Sequence, residues 1–142
     1  MAVRLKRAYD PADKADGTRI LVDRLWPRGV SRQAARIDAW LRDLAPSDTL
    51  RRWFHERPAR WPGFRRRYLG ELSSPTATRS LEELHRLWEK RPRLTLVFSS
   101  RDREHNNAAV LRELLEGMRK PPTGTGPATV SARGSSARVA RR

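Results

Sequence analysis

Arg93-Leu-Thr-Leu-Val-Phe98 is the stretch that decides the fold. It is nearly continuous in apolar character, too short for a helix core, and rich in branched and aromatic side chains. A strand covered on both faces needs that composition, so 93–98 is expected to be the central strand of a sheet. The polar segment Ser99-Ser-Arg-Asp-Arg-Glu-His-Asn106 follows, and after it Val110, Leu111, Leu114, Leu115 and Met118 form an apolar stripe at helical spacing, with Gly117 near its end. The order strand, polar loop, helix is the unit of a parallel sheet.

Working outward, Val3-Arg-Leu-Lys-Arg-Ala-Tyr9 alternates apolar and basic residues with period two, which predicts a strand with one buried face. Asp10 to Gly17 is a turn-forming loop, and Arg19-Ile-Leu-Val-Asp23 predicts a second strand that Trp26-Pro-Arg-Gly29 ends, because proline has no donor for the ladder. Segment 31–46 fits two periods. Ile37, Trp40, Leu41 and Leu44 keep helical spacing, whereas Ile37, Ala39 and Leu41 alternate; one helical turn capped by Ser31, then an extended stretch from about Ile37, accommodates both. Ser47 and Asp48 read as an N-cap and first-turn acid of a helix carrying Leu50, Trp53 and Phe54, which Pro58 interrupts. A further helix is expected from about Gly63 with Phe64, Tyr68, Leu69 and Leu72 on one side, and another with Leu81, Leu84, Leu87 and Trp88. Helices between strands imply crossovers, hence an α/β domain of three layers with a small, mostly parallel sheet flanked by helices.

The 142 residues suit one domain, expected over 1–118. From residue 119 the chain loses its large apolar side chains and carries no acid, so 119–142 is expected to be a basic disordered tail, either a weak electrostatic tether for RNA or DNA or inert. Without the tail's six cations, 25 basic residues still face 16 acidic ones. That excess favours anionic partners such as phosphates, nucleotides or nucleic acid; a coding bias toward arginine, which greatly outnumbers the four lysines, is the competing explanation. The absence of cysteine excludes disulfides, thiolate metal sites and a cysteine nucleophile. No apolar run approaches the roughly 20 residues of a membrane span and Met1 to Tyr9 lacks a signal-peptide core, so a cytoplasmic protein with no membrane partner is expected.

In open α/β sheets ligands bind beyond the carboxyl ends of the strands. Two segments fall there. Asp23-Arg-Leu-Trp-Pro-Arg-Gly29 offers Arg24 and Arg28 as forks for phosphate or carboxylate oxygens, Trp26 as a stacking surface, Gly29 for close backbone approach, and Asp23 as an acid or base; equally, Asp23 can pair with a neighbouring arginine while Trp26 packs. The second, Ser99 to Asn107, gathers Ser99, Arg101 and Asn106 before a helix N-terminus, as a phosphate cradle would, although capping by Asn106 or Asp102 also explains it, and no GxGxxG, Walker or GxSxG spacing is present. His55, His85 and His105 form no metal-binding set, so no metal or cofactor is expected; His55 is either an acid–base group or a helix-end surface residue. A nucleic-acid-binding accessory role, using the basic surface and tail, is the alternative to a small anionic ligand.

Lys6-Arg-Ala-Tyr-Asp-Pro11, Gly17-Thr-Arg-Ile-Leu-Val-Asp-Arg-Leu-Trp-Pro-Arg-Gly29, Leu44-Ala-Pro-Ser47, Trp53-Phe-His55 and Ser99-Ser-Arg101 with Asn106 together resemble the domain-of-unknown-function 488 family over roughly residues 3–118. The resemblance implies a small bacterial or archaeal α/β protein without an established reaction, and it directs attention to the same two loops. Close relatives often carry Asn-His-Ala where this chain has Asn106-Asn107-Ala108, and longer ones a Cys-His-Arg run where this chain has Ser99. The resemblance therefore does not by itself imply a histidine or thiol mechanism at that loop.

Overall fold

Four short strands, β1 (Arg4–Arg7), β2 (Thr18–Leu21), β3 (Ala39–Trp40) and β4 (Leu94–Phe98), form one parallel sheet in the order β1-β4-β2-β3 in the computed structural model, which describes residues 3–119. β4 is central, as its composition requires. Leu96 lies between Leu5 of β1 and Ile20 of β2, and every residue of the strand is buried. Among the described residues five α-helices accompany the sheet: α1 (Arg32–Ala35), α2 (Asp48–Glu56), α3 (Trp61–Glu71), α4 (Pro75–Lys90) and α5 (Asn107–Arg119).

The layers follow from the alternation of the strands and the hand of the crossovers. Val3, Ile20, Val22, Leu94, Leu96 and Phe98 point to one face, where residues of α2, α3, α4 and α5, among them Phe54, Tyr68, Leu84 and Leu111, close the main core. On the opposite face Ala8, Leu21 and Val97 form a smaller cluster under Trp26, Ile37 and Trp40. Right-handed crossovers demand this arrangement. Connections running from β1 toward β3 lie on the second face, and the return from β3 to β4 through α2, α3 and α4 lies on the first. The second layer is thin, made of one helical turn and loops, whereas the first carries the four longer helices.

Local chemistry sets the boundaries. Ser31, Ser47 and Ser74 cap α1, α2 and α4, each side chain accepting a hydrogen bond from the N–H three residues on. Arg36 stops α1 in the left-handed conformation, after which the chain extends into β3, so both periods of segment 31–46 are used. β1 is shorter than the alternation over 3–9 suggested, because the Asp10 carboxylate accepts from the Arg7 N–H and turns the chain. α3 begins at Trp61, two residues earlier than expected, since Pro62 falls in the first turn, where no N–H donor is needed. α5 runs through Arg119, one residue into the expected tail; the remainder of that tail lies outside the described residues. No helix among the described residues is long and apolar enough to cross a membrane.

Candidate functional site

β2 and β4 are neighbours whose following connections leave to opposite faces of the sheet: the 22–31 loop goes to the thin layer, and the 99–106 loop goes to α5 in the main core. A parallel sheet opens a crevice where adjacent strands diverge in this way. The two loops selected from the sequence therefore meet, at the carboxyl edge between β2 and β4.

Asp23 joins them. One carboxylate oxygen accepts from the Ser99 N–H at 2.8 Å and the other from Asn107 Nδ2 at 3.1 Å, while the same Asn107 amide donates to the Val22 carbonyl at 3.1 Å. The Asp23 carbonyl in turn accepts from Trp40 Nε1 at 2.7 Å, which ties the junction to β3. All the groups bonded to this carboxylate are neutral. Burial therefore pushes the Asp23 carboxyl above the ordinary carboxylate value, and the bonds from Asn107 and Ser99, helped by the more distant Arg51 charge, offset only part of that rise. The Ser99 hydroxyl also favours the charged form, although it meets no partner with hydrogen-bond geometry among the described residues. Beneath the junction the buried Tyr68 hydroxyl donates to the Leu44 carbonyl, and desolvation, reinforced by the Asp23 and Glu71 charges, pushes that phenol well above its usual range.

The 99–106 loop is held along its length. Arg7 donates to the Ser99 and Ser100 carbonyls at 3.1 and 2.8 Å, and Arg103 grips Asp10 with two bonds of 2.9 and 3.0 Å. Asp102 accepts from the Glu104 and His105 N–H groups, and the His105 ring stacks on Trp61 at 4.7 Å. These contacts fix the backbone and leave Arg101 exposed, with no partner among the described residues.

The expected site residues separate into two groups. Arg24, Arg28, Gly29 and Arg101 are exposed on the two loops. Arg24 makes one long bond, 3.4 Å, to the Ala45 carbonyl, the Arg28 side chain makes none, and none of the three arginines pairs with a carboxylate among the described residues. Trp26, Asn106 and His55 are placed otherwise. Trp26 donates to the Val30 carbonyl at 2.6 Å, packs edge-on against Trp40 and lies under Arg32, so its ring is taken up in the thin layer. Asn106 is buried with both ends of its amide engaged, its oxygen accepting from the Ala109 N–H as the cap of α5 and its nitrogen donating to Asp102. His55 sits exposed in the last turn of α2 and forms no hydrogen bond or ion pair with either loop.

Two residues that matter here were not singled out from the sequence, although Asn107 closes the 99–107 segment that was. Asn107 rather than Asn106 bridges the loops, and Arg7 pins the second one; each acts on groups more than 80 residues away in the chain. Beside Arg24 a shallow cleft of about 330 Å³ opens toward Asp43, Ser47, Glu71 and Thr76. Two acids on its wall make it a poorer place for an anion than the outer rim.

The chain is 39% identical over 118 residues to the uncharacterized protein YeaO of Escherichia coli, covering 83% of this chain and all of YeaO. It is 42% identical over 115 residues to the uncharacterized protein Rv3073c of Mycobacterium tuberculosis, 81% of this chain and 94% of that protein. No solved structure matches it significantly. A family model described as the inactive DUF488-N3 subclade matches residues 2–130, past the end of α5, and the chain belongs to that subclade of the domain-of-unknown-function 488 family.

Proposed function

We propose that this chain is a binding domain for a small anionic ligand, a phosphate ester or nucleotide-like molecule, held at the carboxyl edge between β2 and β4 without chemical turnover. The observation that carries this reading is the pairing of a fixed backbone with exposed charge: Arg24, Arg28 and Arg101 stand on loops locked together through Asp23, and none of them forms a close ion pair among the described residues, Arg24 meeting the Asp48 charge only at longer range. Guanidinium forks held on a rigid frame lose little freedom on binding an anion, which favours affinity. Asp23 has both oxygens committed to joining the loops, so in this reading it positions the site and transfers no proton. The description of the family as inactive supports the same view.

A thermal-shift screen tests it with inorganic pyrophosphate, mononucleotides and sugar phosphates, on the wild type and on Arg24→Ala/Arg28→Ala. At a hundredfold excess over Kd a ligand adds about 2.7 kcal/mol of stability, which is readily seen in Tm. The wild type is expected to rise with at least one phosphate compound and the double variant to show less than half that rise. An equal rise in both would remove the arginines from the site.

A further inference from the structure

Part of the folded domain's basic excess is concentrated in the α2–α3 hairpin. Over the α2–α3 segment, residues 48–71, seven arginines face three acids, Asp48, Glu56 and Glu71, whereas α4 holds three basic and three acidic residues and α5 two of each. A uniform arginine bias would not spare two of the three longest helices, so the hairpin of α2 and α3 requires its own explanation.

Side-chain geometry gives one. The half-buried Trp53 ring carries two guanidiniums, Arg60 at 4.8 Å and Arg67 at 4.2 Å from its centroid, and Arg60 also donates to the Trp53 carbonyl at 2.8 Å. Gly63 lets the ring approach α3: a methyl group there would meet Trp53 Cη2 at 3.0 Å and lie 3.9 Å from Arg66 Nη2. Arg66 thus joins the same cluster, and Arg57 is exposed at the turn between the helices. The others pair with carboxylates: Arg51 and Arg52 share Asp48, Arg65 meets Glu113, and Arg60 meets Glu56. Arg57, Arg66 and Arg67 have no carboxylate partner among the described residues. Holding guanidiniums over an indole reduces their freedom before any ligand arrives.

We infer that the α2–α3 hairpin is a second anion-recognition surface, which takes the phosphate backbone of a nucleic-acid duplex without reading its sequence, through Arg57, Arg66 and Arg67 with Arg60 beside them. Phosphodiester oxygens match guanidinium forks, and a duplex supplies several at regular spacing. Stacking of unpaired bases is disfavoured. Trp53 is committed to its two cations, and Trp61 already stacks on Phe64 at 5.6 Å and on His105 at 4.7 Å. A membrane surface fits less well because the exposed large apolar residues, Tyr9, Leu25 and Met118, all lie outside this hairpin.

Fluorescence anisotropy of a labelled 20-base-pair DNA duplex, titrated with the full chain from 50 to 200 mM KCl, tests the inference. Neutralising three phosphates contributes about 2.7 to the slope of log K against log salt, so Arg57→Ala/Arg66→Ala/Arg67→Ala is expected to flatten the slope by about that much and to bind at least tenfold more weakly at 50 mM. The Lys triple variant keeps the charges and should keep most of the slope; a loss as large as with Ala would overturn the inference, as would an unchanged slope in the Ala variant. A tail variant, Arg133→Ala/Arg138→Ala/Arg141→Ala/Arg142→Ala, should leave that difference intact, and its disappearance there would assign duplex binding to the tail. Vesicles containing phosphatidylserine serve as a second probe, and binding to them with no binding to duplex would also overturn it. Arg24→Ala/Arg28→Ala should bind duplex like the wild type, so failure here and failure of the small-ligand reading remain separate results.

Discussion

The two ends of β2 handle an aspartate in opposite ways. At the amino end Asp16 is fully buried among cations: Arg19 at 2.7 Å, Lys6 at 3.1 Å and Arg4 at 3.6 Å, with a further bond from the Asp13 N–H. Burial pushes this carboxyl up, but the bonds from Asp13, Lys6 and Arg19 outweigh it and hold the group below the ordinary value. At the carboxyl end Asp23 meets only neutral donors, and burial wins. The glycines beside them differ likewise. Gly17, with φ of 66°, is pressed so close to β4 that a methyl group would meet the Arg93 carbonyl oxygen at 2.2 Å, whereas Gly29, with φ of 79°, has open space around it. One end of the strand consumes its charges internally. The other carries three exposed guanidiniums, those of Arg24, Arg28 and Arg101, on its loops.

Breaking the amino end should therefore cost most. Asp16→Ala leaves the buried Arg19 without its counter-charge, and loss of one partner from such a pair costs about 3–5 kcal/mol, a fall in Tm of about 10 °C or more by calorimetry. The pH profile of stability sharpens the contrast. Because the Asp16 value is lowered on folding, its contribution is complete above the unfolded carboxylate value and is lost as pH falls through the folded one. Asp23 runs the other way: its folded value is raised, so its contribution is greatest in acid and is lost as pH rises through that value. Denaturant melts between pH 3 and 7 should show the wild type losing stability on acidification, and Asp16→Ala should show a shallower dependence. A profile unchanged by the substitution would mean that Asp16 is not the group concerned.

The two glycines give a smaller and cleaner pair. Gly17→Ala forces both a positive φ and a backbone clash, and should cost about 2–3 kcal/mol; Gly29→Ala imposes the positive φ alone, for about 1 kcal/mol. Equal losses in chemical denaturation would show that the crowding at Gly17 relaxes.

These contrasts explain which features could be read in the sequence. The central place of 93–98 follows from a run of side chains that cannot face water on either side, and the serine caps at 31 and 47 follow from their position before helical periodicity. Local signals suffice there. The basic residues of β1 look like a solvated edge by alternation, yet Lys6 turns to Asp16, ten residues on, under a loop whose course no local pattern dictates. The Asp23 junction is harder still, since 76 residues separate it from Ser99 and 84 from Asn107. Asn106 and Asn107 are adjacent amides at a helix start, and only the direction of the helix decides that the first caps while the second reaches across. The convergence of the two loops follows from β2 and β4 being neighbours, an order that no pattern in the sequence supplied. Their stitching depends on side-chain geometry, which periodicity does not carry.

The most direct measurement is a two-dimensional amide NMR titration of the full chain with inorganic pyrophosphate and adenosine monophosphate. Saturable shifts are expected at the amides of 24–29 and 99–102, where the loops lie on both sides of Asp23, with Asp13, Asp16 and Gly17 unmoved. Shifts centred on residues 57–67, or no saturable shift in either loop, would contradict the assignment of the carboxyl end of β2 as the ligand site.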